Sequence, residues 1–297
     1  MRVFVTGASG FVGSAVVAEL VRAGHQVLGL VRSDSGAEKV KNAGAEPFPG
    51  DVNDLENLKK GAAQCDAVIH TAFNHDFSRF KQNCEDDRKV IAALGEALTG
   101  TNKPLVVTSA VGLLNNGCLV TEDDVPPVGS DVMPRVATEE ATRAVAAQGV
   151  NAYILRLPPS THGEGDHGFV SMLIGMAKQN GESAYVAAGE NFWPAAHRFD
   201  AAVLYRLIVE QQPAQKVFHA VAEQGIPFKD IAVTIGKGLA LPTKSKESKD
   251  AETHFTWFLH FASMNCPSSS AKTREVLGWN PQQPGLLEDM VAGKYFE

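Results

Sequence analysis

A chain of 297 residues is long enough to bury a full core, either in one large domain or in two unequal lobes. Its 44% hydrophobic and 21% charged residues exclude a disordered chain, and a net charge of −7 without a Lys/Arg cluster argues against nucleic acid or an anionic membrane as partner. Cys65, Cys84, Cys118 and Cys266 are dispersed and form no CxxC, which excludes a disulfide framework and a zinc site. No signal peptide is visible and no run approaches the ~20 apolar residues of a membrane span, so the expected compartment is the cytoplasm, with reduced thiols.

Along the chain, "RVFVTG" (2–7) reads as a strand, followed by a helical face of Val12, Val16, Leu20 and Val21 that closes at Gly24. "QVLGLV" (26–31) is the next strand, then a short helix around 36–43. "DAVIHTA" (66–72) and "KPLVVTSAV" (103–111) repeat the theme, with a polar helical segment at roughly 79–99 between them. A helix in "MPRVATEEATRAV" (133–145) precedes the strand "NAYILRLPP" (151–159). Continuous apolar strands separated by helices are what a parallel sheet covered on both faces requires, so the fold class is α/β, doubly wound. Beyond Pro159 come Gly-rich "THGEGDHG" (161–168), a helix near 169–180, and a helix at 201–211 that Asp200 is placed to cap. "KVFHAVA" (216–222) reads as a strand, "PFKDIAVTIGKGL" (227–239) as a helix opened by Pro227, and "KSKESKD" (244–250) as a solvated loop or helix start. Residues 1–160 with about 196–222 form the expected nucleotide-binding domain; about 161–195 and 223–297 form a smaller, interleaved substrate lobe.

The chemistry begins at "TGASGFVG", which sets Gly7, Gly10 and Gly13 in a GxxGxxG pattern between a strand and a helix. Gly7 permits the tight turn, Gly10 lets main-chain N–H groups approach a pyrophosphate, and Gly13 lets the helix lie close to the sheet. Ser9, Phe11 and Val12, interleaved with the glycines, join them as expected cofactor contacts. The second strand ends in "GLVRS", where a carboxylate would take the ribose hydroxyls of NAD(H) and an arginine the phosphate of NADP(H). Arg32 stands there and Asp34 is two residues further on, which favours NADP(H) over NAD(H).

With these motifs the chain resembles the extended short-chain dehydrogenase/reductase superfamily, over nearly its whole length. The resemblance implies that Asp51 and Val52 of "GDV" flank the adenine and that Thr71, Ala72 and Phe73 of "VIHTAF" line the cofactor groove. By the same resemblance, Pro158, Pro159 and Ser160 of "RLPPSTHG" border the nicotinamide, and "HRFDAAVLYRLIV" (197–209) lies beside a small-molecule substrate. Related proteins often pair into homodimers through the helices beside the catalytic segment; this chain has the helix but no diagnostic stripe, so a homodimer stays open.

The superfamily's reaction uses a Ser or Thr to hold the substrate oxygen and a Tyr as general acid/base, with a Lys one helical turn on that favours its ionised form. Tyr153, Tyr185, Tyr205 and Tyr295 are the only tyrosines, and none has a Lys four residues later. Register with Glu139 or Glu140 leaves Asp131 or Val132 at the Tyr and Arg135 or Val136 at the Lys. Arg135 can replace the lysine's charge at the ribose, although a guanidinium does not shuttle protons. Ser109 of "VVTSAVG" is the candidate for the substrate oxygen; His162 and His197 have suitable intrinsic pKa values for the proton. Phe169, Phe192 and Trp193 are candidate pocket walls. "HGEGDH" would need ligands from elsewhere to hold a metal, and its glycines suit a lid better, so no metal is expected. Two functions follow: an atypical NADP(H)-dependent oxidoreductase with a non-standard proton relay, or an NADP(H)-binding sensor that is catalytically weak or inactive.

Overall fold

In the computed structural model, which describes residues 1–115 and 117–297, the chain opens with six strands alternating with five α-helices. The strands are β1 (Arg2–Thr6), β2 (Gln26–Val31), β3 (Glu46–Pro49), β4 (Ala67–His70), β5 (Pro104–Ala110) and β6 (Asn151–Leu157). Between them run α1 (Phe11–Arg22), α2 (Asp34–Asn42), α3 (Leu55–Ala63), α4 (Phe80–Leu98) and α5 (Ala137–Ala147). The second half supplies β7 (Ser160–His162), α6 (Phe169–Asn180), β8 (Ser183–Val186), β9 (Phe192–His197), α7 (Arg198–Gln211), β10 (Val217–His219), β11 (Glu223–Pro227), α8 (Phe228–Leu239) and β12 (Thr243–Lys246). It closes with α9 (Ser248–Phe255), α10 (Leu259–Ala262), α11 (Ala271–Leu277) and α12 (Leu286–Ala292).

One parallel sheet of seven strands has the order β10-β6-β5-β4-β1-β2-β3. Its two faces carry separate cores, because successive residues of a strand alternate sides. Val3, Val5, Ile69, Val106 and Leu155 pack against α1 and α7 on one face; Phe4, Val68, Leu105 and Val107 pack against α3, α4 and α5 on the other. The order reverses between β4 and β1, and the crevice outside the carboxyl ends of those strands is where such sheets bind ligands. The smaller lobe holds two short sheets, β11-β9-β7 and β12-β8, around an aromatic core that includes Trp193, Phe228, Phe255 and Phe258. No helix among the described residues is long and apolar enough to cross a membrane.

Three local expectations give way to tertiary context. Asp200 does not cap its helix: α7 begins earlier, at Arg198, where the His197 ring accepts the Phe199 N–H at 3.2 Å. The Asp200 carboxylate instead receives the Gln282 and Gln283 N–H groups, tying down the C-terminal segment. "KSKESKD" divides: Lys244 to Lys246 join β12, which pairs with β8 while Lys244 and Lys246 both bind Glu182, and Ser248 to Asp250 open α9 as the expected helix start. The helix expected over 133–145 starts as a 3₁₀ turn at Pro134–Val136 and becomes α-helical at Ala137, since Pro134 fits only an opening turn.

Candidate active site

The glycine-rich loop is built by steric necessity. Gly7 adopts φ +69, and a Cβ there would lie 2.8 Å from both the Ala72 nitrogen and Thr71 Oγ1. A Cβ on Gly13 would sit 2.0 Å from the Gly7 carbonyl oxygen, so the first turn of α1 rests directly on the loop. The Gly10 N–H donates to Gly7 O at 2.8 Å, and Thr71 Oγ1 donates to Thr6 O at 2.7 Å, which fastens the end of β4 to the end of β1. Gly10 is the N-cap of α1 and offers no side-chain acceptor. The first-turn N–H groups around Phe11 and Val12 therefore keep their donors and the helix its positive end for an anion. Ser9 flanks the loop beside Gly36 of α2.

The crevice continues toward α4 as a cavity of ≈ 300 Å³ lined in part by Arg32, Val52, Asn53, Ala72, Phe73 and Arg79. Asp51 stands beside it, its carboxylate accepting the Asn53 N–H at 2.8 Å to hold the turn. Arg32 is well exposed, and its Nη1 approaches Asp51 only to 3.9 Å, so that contact leaves the guanidinium available. Arg32, Val52, Ala72 and Phe73 thus line one cavity.

Below the groove runs a polar chain. The Ala72 N–H donates to Thr6 Oγ1 at 3.3 Å, and Thr6 Oγ1 lies 2.7 Å from His70 Nδ1. His70 Nε2 lies 2.8 Å from Asp87 Oδ1, and Arg135 Nη1 donates to Asp87 Oδ2 at 2.8 Å, with Thr138 bonded to both. Arg135 Nη2 donates to the Thr108 carbonyl at 3.2 Å, and the guanidinium lies 4.0 Å from the centre of the Phe73 ring. Burial pushes the Asp87 carboxyl up, but Arg135, then the His70 and Thr138 contacts, outweigh it and hold the group below the usual carboxylate range. Arg135 is therefore a cation fixed against Phe73, which lines the cavity, in the 3₁₀ turn that leads into α5.

Ser109 sits elsewhere. Alternation along β5 puts it on the face of Leu105 and Val107, against α5, where its hydroxyl donates to Glu139 Oε1 at 2.8 Å. Glu139 is paired with Arg156 through Nε (2.7 Å) and Nη2 (2.8 Å), both side chains being buried. The candidate for holding the substrate oxygen is thus committed to a buried ion pair, away from the groove. Thr108, on the other face, donates to His70 O at 2.7 Å and lies 2.7 Å from the Tyr205 hydroxyl.

His162 and His197 meet edge to face at 5.3 Å, both buried. His162 Nδ1 lies 2.8 Å from Asp289 Oδ2 of α12, and His197 Nδ1 caps α7, so each ring has a structural partner. The "HGEGDH" loop is fastened: the Gly163 N–H donates to the Tyr295 hydroxyl at 3.1 Å, and that hydroxyl donates to Asp166 Oδ2 at 3.1 Å. Burial raises the Asp166 pKa. Its metal-ligand types do not converge, and among the described residues no group of three or more His, Cys, Asp or Glu side chains is placed to hold a metal ion. Pro158 and Pro159 lead into Ser160, whose buried hydroxyl has no hydrogen-bond partner. That orphaned hydroxyl and the cradle at Gly7 and Gly13 both suit a bound dinucleotide.

Two features were not anticipated. His75 is an exposed residue beside the groove, 5.2 Å from the Phe73 ring; partial desolvation, then the charges of Arg135 and His167, lower its pKa. Phe77 reaches across to the smaller lobe and packs on Trp257 (5.1 Å) and Phe261 (5.9 Å), next to Phe169. Of the expected pocket walls, Phe169 borders this cleft, whereas Trp193 is fully buried against Phe228 and Phe192 is half-buried in β9.

Comparison with known proteins fits this geometry. The profile of an NAD(P)H-binding family matches residues 7–187. An uncharacterised protein of Schizosaccharomyces pombe is 50% identical over 100% of both chains. A 2-alkyl-3-oxoalkanoate reductase of Stenotrophomonas maltophilia is 30% identical, covering 71% of this chain and 66% of its own. Among solved structures, the dTDP-glucose 4,6-dehydratase DesIV of Streptomyces venezuelae, with NAD bound, superposes with a TM-score of 0.77 over 98% of this chain and 96% of its own, at 17% identity.

Proposed function

The chain belongs to the NAD(P)H-binding family, within the extended short-chain dehydrogenase/reductase superfamily, and from that premise we propose that it is an NADP(H)-dependent oxidoreductase acting on a small carbonyl or hydroxyl substrate. A nicotinamide bound in the groove supplies or accepts the hydride. The observation that carries the reading is Arg135, a cation pinned by Asp87 and Thr108 and stacked on Phe73. Such a fixed charge serves to position a ribose and to favour negative charge developing on a substrate oxygen. Arg32 takes the ribose phosphate and so sets the preference for NADP(H).

In the direction of reduction a carbonyl takes up hydride and a proton, and His75 provides the proton. Its ring lies 5.2 Å from that of Phe73, where the charge of Arg135 acts on it. Because its pKa is lowered, protonated His75 is a stronger acid than a free imidazolium and is abundant only toward acid pH. Turnover in that direction therefore falls as pH rises.

The test is spectrophotometric. Purified protein with NADPH is screened against aldehydes, ketones and quinones, and turnover lost in Arg135→Met and reduced about 100-fold in His75→Gln supports the proposal. A second reading, an NADP(H)-binding sensor, is favoured by the commitment of the Ser109 hydroxyl to Glu139 and by the missing Tyr-Lys pair. Tight NADPH binding without oxidation across the whole panel would decide for the sensor.

A further inference from the structure

We propose that Arg198 is a side-chain clamp for the cofactor's pyrophosphate, supplied by the segment that links the two lobes and closing over the glycine-rich loop. The proposal rests on the cofactor reading above and adds to it a residue that no glycine motif encodes. Arg198 opens α7, which packs along α1, so its side chain emerges beside the phosphate-binding turn. Nη1 donates to the Phe11 carbonyl at 3.4 Å, and the guanidinium lies 4.9 Å from both the Phe11 and the Phe199 rings.

What the guanidinium lacks is an anion. Its Nε is buried with no hydrogen-bond partner, and among the described residues no carboxylate lies within ion-pair distance. Glu164, Asp166 and Asp289 act on it only from further away, and burial draws its pKa down. The positive ends of α1 and α7 lie alongside, which makes the position still less favourable for an uncompensated cation. A half-buried guanidinium held between two rings at a phosphate-binding turn is consistent only if a counter-ion arrives from outside. Its planar fork matches phosphate oxygens, whereas the exposed Arg32 is set apart beside Asp51.

The experiment compares the full-length chain with Arg198→Met, which keeps much of the stacking volume, and Arg198→Lys, which keeps the charge. Dissociation constants are measured by calorimetry for ADP-ribose, NAD⁺, NADP⁺ and 2′-AMP, and the melting temperature is read without ligand. The expected result is a loss of about 10–100-fold for the three pyrophosphate ligands alike in Arg198→Met, partial recovery in Arg198→Lys, and little change for 2′-AMP. The ligand-free variant melts at the wild-type temperature or above it, because an uncompensated charge has been removed. Wild-type affinity of Arg198→Met for ADP-ribose overturns the clamp alone, as does an equal loss for 2′-AMP. Failure of the wild-type chain to bind ADP-ribose and NADP⁺ overturns the cofactor reading and the clamp together.

Discussion

Replacing Ser109 by alanine separates a hydroxyl that works on substrate from one that works on the fold. In the structure that hydroxyl is 2.8 Å from Glu139 Oε1, an oxygen that also receives Arg156 Nε at 2.7 Å. Hydrogen bonds to charged groups contribute about 1.5–3 kcal/mol, and since Oε1 keeps its arginine donor in the variant, the lower half of that range applies. A loss of about 1.5–2 kcal/mol lowers the melting temperature of a chain this size by roughly 3–8 °C. The assay is thermal unfolding of the ligand-free protein, alongside NADPH affinity and turnover measured well below the transition. The buried pair predicts a clear drop in melting temperature with NADPH affinity within twofold of wild type. An unchanged melting temperature accompanied by a 100-fold or larger loss of turnover would refute the geometric argument, because general acid/base and oxygen-holding groups account for losses of that order. Glu139→Gln serves as the reference: it breaks the pair with Arg156 and is expected to cost about 3–5 kcal/mol.

Three further outcomes follow from named contacts. Arg32→Ala should weaken NADPH by about 10-fold while leaving NADH nearly unaffected, since a single charge-assisted contact at an exposed site is lost; equal weakening of both would remove Arg32 from phosphate reading. Gly13→Ala places a methyl group 2.0 Å from a main-chain oxygen that has no room to move, so a stability loss of about 1–3 kcal/mol and loss of the thermal shift given by NADPH are expected. Burial, then the charge of Arg156, draws the His219 pKa down to about 4, below the ordinary 6.5. The folded state therefore favours neutral His219: its contribution is complete above pH 6.5 and is lost as pH falls toward 4, about 2 kcal/mol by pH 5. His75, His197 and His254 shift in the same direction and add to this slope, while Asp166 opposes it. Urea midpoints at pH 7 and pH 5 should show the fall, and His219→Gln should flatten it.

How much of this was readable beforehand depends on how far apart the cooperating residues lie. The phosphate turn is encoded within seven positions, because a strand, three glycines and a helix start need only one another. The strand-end position of Arg32 was legible for the same reason, since it is the last residue before the α2 cap. Ser109 was not. Its neighbours suggested a strand-end hydroxyl, but which face it occupies is settled by the pairing of β5 with β6 and by Glu139, thirty residues on. The cleft joins Phe77 to Trp257 across 180 positions, and no periodicity links a 3₁₀ turn of one lobe to that of another.

Arg135 lies between these extremes. Spacing from Glu139 assigned it the lysine's place, yet spacing was silent on Asp87 and His70, which decide what it can do there. A lysine would be a flexible point charge able to give up a proton; an arginine locked by a carboxylate, a carbonyl and an aromatic face keeps both its charge and its position. The substitution separates two duties that a Tyr-Lys pair performs as a unit. On the proposed reading, charge and orientation stay with Arg135 and proton delivery passes to His75, a titratable group on which the same guanidinium acts. That division makes a specific demand: Arg135→Lys should preserve cofactor affinity better than Arg135→Met, yet should not raise turnover, since no phenol stands four residues before it to be activated. A gain in turnover in Arg135→Lys, read with NADPH at fixed pH, would show that the lysine charge alone limits the reaction and that the proton does not come from His75.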